Sequence, residues 1–190
     1  RRHGRGEVVQ GSGLMADSDL LAGVHPEVAH LSWLVGRWRG IGEGDFPGTG
    51  RFRYEEVVEF ATDGRPFLEY RAVSWILDED NARVRPSHTE NGYWRPTVDN
   101  GVEAVICNPM GIAELWLGTV TVTSIENARI TGARLEVHTS KFVRTPTAPA
   151  VHDGTRIYGL VNGELLMAFD MNTHAEDALS SHVWNRMRRA

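Results

Sequence analysis

The stretch LVGRWRGIGEGDFPGTG, residues 34–50, decides the fold. Six of its seventeen residues are glycine, a density that costs backbone entropy in any regular element. Gly36, Gly40, Gly42 and Gly44 recur at even spacing, so on a strand they share one face, and Trp38 falls on it with them. Arg37, Arg39, Ile41 and Glu43 take the other face. A strand with one face stripped of side chains suits a sheet that bends sharply to close on itself, and it leaves internal room for something flat and large. Tight packing of one sheet on another gives the same pattern, and periodicity alone does not separate the two.

Outward from this stretch the pattern is uniform. Before it, DSDLLAGVHPEVAHLSWL predicts one short helix, with Pro26 in the first turn and Val28, Leu31 and Leu34 at helical spacing. From it onward the apolar period is two. Ten strand candidates follow one another from Gly36 to Arg189, separated by turn signals at Asp63-Gly64, residues 78–81, Asp99-Asn100-Gly101, Pro109-Met110-Gly111 and Asn162-Gly163. The connections are too short for crossover helices, so the sheet is expected to be antiparallel. The expectation is an all-β domain over residues 17–190, preceded by an arm at 1–16 with no fold of its own. Residues 144–154 form the longest irregular connection.

Composition excludes several classes. A net charge of −5 over 190 residues argues against a nucleic-acid surface. No apolar run approaches the length of a membrane helix. The single cysteine, Cys107, excludes an intrachain disulfide; it reads as a small buried apolar residue, and a reducing, cytoplasmic setting is the expectation. Glu55 and Glu56 are adjacent on one strand and face opposite ways, so they cannot act as a paired acid and base.

At GRWRGIGEGDFP, residues 36–47, the chain resembles the nitrobindin family, whose first strand carries a G-x-W-x-G-x-G signature followed by an aromatic-proline pair; the matching residues here are Gly36, Trp38, Gly40, Gly42 and Phe46-Pro47. RPFLEYR at 65–71, HTENGYWR at 88–95 and MNTHAEDALSSHVWNRMRR at 171–189 extend the resemblance over about residues 25 to 189. It implies a ten-stranded antiparallel β-barrel, lipocalin-like in outline, with a short helix at its entrance. It also implies one noncovalent haem b per chain, in agreement with the absence of a C-x-x-C-H sequence.

By the same resemblance His182, on the last strand, is the iron ligand and the catalytic residue. Alternation along 178–187 would place Ser180, His182 and Trp184 on one face. Gly36, Trp38, Gly40, Gly42, Thr49, His88 and Met171 are the remaining candidates for contact with the cofactor. The extra glycine in FPGTG leaves the register at Thr49 open by one. His88 fits the pocket or a surface role equally. His25 and His30 read as caps of the helix, His138 as solvated, and His3, His152 and His174 carry no assignment. Pro149 stands where the family has a lysine near the haem propionates, so that charge is expected to be met by water or by another basic group, Arg144 or Lys141. The activity implied is reversible nitric oxide binding by ferric haem and isomerisation of peroxynitrite to nitrate. The competing reading is a haem-free, lipocalin-like carrier of a lipid or other apolar small molecule. Trp75, Trp94 and Trp116 fit either an outer face that would support a homodimer or core packing.

Overall fold

A computed structural model describes residues 23–46, 50–172 and 180–190. A short 3-10 helix, Pro26–Leu34, leads into ten strands: β1 (Gly36–Phe46), β2 (Gly50–Ala61), β3 (Leu68–Leu77), β4 (Arg83–Pro96), β5 (Gly101–Asn108), β6 (Ile112–Glu126), β7 (Arg129–Arg144), β8 (Asp153–Val161), β9 (Glu164–Asn172) and β10 (Ser180–Arg189). Each strand pairs antiparallel with its sequence neighbour, and β1 pairs with β10 to close the barrel. The expected arm at 1–16 lies outside the described residues.

Local chemistry explains the boundaries. Pro26 opens the helix and the His25 ring accepts from the Glu27 N–H, which caps it. At the β8–β9 hairpin Asn162 and Gly163 both take positive φ (52° and 77°), the pairing a tight two-residue turn needs. Asn127 and Ala128 do the same between β6 and β7 without a glycine, so this turn is hidden in the sequence, where Ala128 reads as strand. Asp78 Oδ1 accepts from the Asp80 and Ala82 N–H groups and organises the β3–β4 connection.

The bare face of β1 looks inward, as its spacing implies. A methyl on Gly40 would collide with the Arg186 carbonyl of β10, and one on Gly42 or Gly44 with the rings of Tyr54 or Phe52. The room cleared by these glycines is thus filled from within the barrel, by a close strand approach at one end and two aromatic rings at the other.

One end of the barrel is plugged. Val28, Leu31 and Leu34 of the helix are fully buried, each contributing about 1.5–3 kcal/mol. They pack with Trp33, Trp38, Phe60, Leu68, Trp94 and Leu135. Trp38 donates its indole N–H to the Leu34 carbonyl, and Arg189 stacks on Trp38 while donating to the carbonyls of Val35 and Trp33. The last strand therefore locks the helix in place.

Two side-chain expectations change. Cys107 is exposed, because inward positions on β5 are Val102, Ala104 and Ile106 and Cys107 has the opposite parity. Trp94 and Trp116 are fully buried, which removes them from any outer dimer face, while Trp75 lies outside under the Arg83 guanidinium.

Candidate functional site

The end of the barrel opposite the helix holds a cavity of about 340 Å³. Its apolar wall includes Phe46, Phe52, Tyr54, Met167, Phe169 and Met171. Its polar wall is built from Glu56, Tyr70, His88, Glu90, Glu114, Arg156 and Tyr158. These residues come from β1–β4, β6, β8 and β9, because period-two alternation turns alternate side chains of a strand inward.

The polar wall is one network around a buried cation. Arg156 donates to both oxygens of Glu90 at 2.7 Å and to Glu114 Oε2 at 2.7 Å. Its guanidinium lies 4.7 Å from the Trp116 ring centre and 4.3 Å from that of Phe169. Trp116 donates to Glu114 at 2.9 Å, Tyr70 donates its hydroxyl to Glu90 at 2.9 Å, and His88 Nε2 meets Glu90 Oε1 at 3.1 Å. Burial pushes the Glu90 carboxyl up, but the Arg156 guanidinium outweighs it and holds Glu90 well below the usual carboxylate range. For Glu114 burial wins and the carboxyl is raised. Glu56 stands apart from the guanidinium: burial pushes it up to about 7, against a hydrogen bond from Asn185 Nδ2 at 3.1 Å. Asn185 Oδ1 and Arg156 Nε are buried polar atoms without a hydrogen-bond partner among the described residues.

His182 is buried, at 2% exposure, and strand alternation does not put it there. Inward positions on β10 are Asn185 and Met187, and Val183 lines the cavity. Trp184 is half-exposed, so the expected sharing of a face by His182 and Trp184 fails. A β-bulge between Ser181 and Val183 shifts the β9 register at His182 and re-aims its ring. Its Nδ1 accepts from the Met171 N–H at 3.1 Å, and its ring centre is 5.6 Å from that of Phe46. The imidazole borders a shallow hollow of about 220 Å³ with Glu43, Gly44, Asp45, Arg51 and Trp184, while its neighbours Phe46, Met171 and Val183 line the cavity.

The other expected site residues divide. His88 and Met171 line the cavity, and Gly42 lies against Tyr54 at its wall. Gly36, Trp38 and Gly40 sit toward the helix end, where Trp38 is core, so the structure does not bring them to the cavity. Thr49 and His174 lie outside the described residues. Arg144 is exposed and donates to the Pro149 carbonyl, steadying the connection from which Val151 reaches the cavity. Sequence reasoning missed Glu56, Glu90, Glu114, Arg156, Tyr70 and Tyr158. The signal was present: TRIY, HTENGYW and ELW each put a charged residue on the parity of buried aromatics.

The residues fit an iron porphyrin in donor type and in surroundings. An imidazole is a suitable axial ligand, and the flanking aromatic rings and Met171 offer an apolar wall to a flat ring. With Nδ1 accepting, a neutral His182 carries its proton on Nε2. Presenting Nε2 to iron therefore means losing that proton or giving up the hydrogen bond from Met171.

Comparison with known proteins gives a consistent picture. The model of the THAP4-like, heme-binding beta-barrel domain matches residues 27–189. A peroxynitrite isomerase of Salinispora arenicola is 40% identical over 171 residues, covering 87% of this chain and 82% of that protein. A peroxynitrite isomerase of Nocardioides sp. is 36% identical, over 87% of this chain and 94% of its own. The crystal structure of Rv2717c from M. tuberculosis superposes with a TM-score of 0.78 at 31% identity, covering 88% of this chain and 99% of that one.

Proposed function

The chain belongs to the family of THAP4-like, heme-binding beta-barrel domains, and from that premise we propose that it holds one haem b noncovalently through His182 and isomerises peroxynitrite to nitrate. Relatives named peroxynitrite isomerase, alike over most of both chains, support the activity. The observation that carries the residue assignment is the β-bulge that buries the His182 ring beside the cavity, next to the lining residues Phe46, Met171 and Val183.

Bound haem supplies a Lewis-acidic iron that eases cleavage of the peroxynitrite O–O bond. The protein's own residues do the rest. His182 gives one ring nitrogen to the metal. Phe52, Phe169 and Met167 give the cavity an apolar wall that would hold the nitrogen dioxide fragment close enough to recombine. Arg156 neutralises Glu90, so an anion entering the cavity does not face that carboxylate unscreened. Isomerisation consumes no net proton and no reductant. With His182 as its one protein ligand, a bound haem would keep the capacity to take nitric oxide. An apolar lipid suits this cavity less well, because Glu56, Glu90, Glu114 and Arg156 would all be covered by hydrocarbon.

Hemin titration tests the reading. The protein should take up one equivalent with a sharpened Soret band and accelerate peroxynitrite decay. His182→Ala should lose both, and His88→Ala, whose imidazole is turned to Glu90, should keep both. Retention of both by His182→Ala overturns the assignment.

A further inference from the structure

Resting on the haem and peroxynitrite reading above, we propose that Tyr70 is a built-in modification site: the tyrosine that nitrogen dioxide escaping recombination in the cavity oxidises and then nitrates. The chain has four tyrosines, and the structure separates them. Tyr54, Tyr70 and Tyr158 line the cavity; Tyr93 is half-exposed on the outer face, edge-on to Phe67.

Removing an electron from a phenol makes its hydroxyl proton strongly acidic, so the tyrosine that yields an electron inside a barrel is the one with a place to send that proton. Tyr54 donates to the Trp184 carbonyl at 3.3 Å, and a backbone carbonyl is not a proton acceptor of useful strength. Tyr70 donates to Glu90 Oε2 at 2.9 Å. Glu90 Oε1 in turn meets His88 Nε2 at 3.1 Å, and the His88 side chain is 36% exposed. Tyr70, Glu90 and His88 thus form a continuous hydrogen-bonded path from a cavity phenol to a solvent-reached imidazole. Burial and the Glu90 charge both oppose ionisation of the Tyr70 phenol. The proton therefore leaves together with the electron.

Counted from two escaped nitrogen dioxide molecules the ring chemistry balances, and the two one-electron oxidising equivalents their escape leaves behind are consumed by the nitrite and proton it releases, giving nitrate and hydroxide. One molecule takes the phenolic electron and becomes nitrite, while the O–H bond breaks and its proton passes to Glu90 and out through His88. A second couples at the ring carbon ortho to the oxygen, forming a C–N bond. The ring hydrogen at that carbon moves to the oxygen and restores the phenol as 3-nitrotyrosine. Two nitrogen dioxide molecules are consumed, and one nitrite and one proton are released.

The test is a slow infusion of peroxynitrite into haem-loaded and haem-free protein, followed by peptide mass spectrometry of all four tyrosines. Nitration of Tyr70 should be several-fold higher with haem than without, and Tyr93 should be spared in the loaded protein, where peroxynitrite is consumed inside. His88→Phe, checked for an intact Soret band, should lower Tyr70 nitration by cutting the outer link without touching the Tyr70–Glu90 bond. Equal Tyr70 labelling with and without haem overturns the proposal, as does dominant labelling of Tyr54 or Tyr158 or an unaltered yield in His88→Phe. If hemin does not bind at all, the underlying reading falls too, and the missing Soret band marks that case.

Discussion

Glu56→Gln should stabilise the protein at neutral and alkaline pH and leave it nearly unchanged in mild acid. The carboxyl is raised from an ordinary 4.5 to about 7, by burial first, opposed by its bond from Asn185, with the Glu90 charge adding to the rise. A raised acid binds its proton in the folded state over a range where the unfolded chain has lost it. Stability therefore falls as pH rises from about 4.5 to about 7 and is level beyond. A shift of about 2.5 units corresponds to roughly 3 kcal/mol at 1.36 kcal/mol per unit. Part of the Glu56 side chain faces the cavity, where water softens the penalty, so this is an upper figure. Glutamine keeps an oxygen for the Asn185 N–H and has no charge to desolvate. The assay is urea unfolding of haem-free wild type and variant from pH 4 to 9, read as the difference in unfolding free energy. That difference should grow in the variant's favour across pH 4.5–7 and then plateau. A flat difference, or one that grows in favour of wild type, refutes the account of Glu56 as a desolvated, proton-holding carboxyl.

Arg156→Met leaves Glu90 and Glu114 without their shared cation inside the barrel and should cost about 3–5 kcal/mol at pH 7, measured by urea unfolding; adding Glu90→Gln and Glu114→Gln should recover much of it. Gly40→Ala drives a methyl into the Arg186 carbonyl and should lower stability by about 1–3 kcal/mol in thermal unfolding, since β10 can yield only by loosening the seam that closes the barrel. Nitrogen-15 NMR of the haem-free protein should find His182 with its proton on Nε2, and hemin should move both that signal and the Met171 amide. A His182 already protonated on Nδ1 would contradict the hydrogen bond drawn here.

The barrel was legible because period two is a strong signal when it repeats through ten segments, and because Gly36 to Gly44 mark the strand that closes it. That Glu55 and Glu56 face opposite ways also followed from parity, but not which of them turns inward: Glu55 lies outside between Arg39 and Arg83, and Glu56 in the cavity. Parity failed at His182, because a bulge shifts phase by one residue and leaves no compositional trace in SSHVW. The Arg156 network was harder to read for another reason. Arg156, Glu90 and Glu114 sit on three different strands, and a lone charged residue among apolar ones declares its burial only when its partners, 42 and 66 positions away, are placed beside it. Trp38 shows the reverse error. Its spacing put it on the right face, but distance along the strand assigns it to the plug and not to the cavity.

The bulge makes His182, the proposed metal ligand, expendable to the architecture. From Val183 onward β10 keeps its rungs with β1 and β9, whatever occupies the odd position before it. A one-residue deletion there, or replacement of the imidazole, would erase coordination while the closed wall persisted. Descendants of such a barrel can therefore drift away from metal chemistry without first becoming unstable.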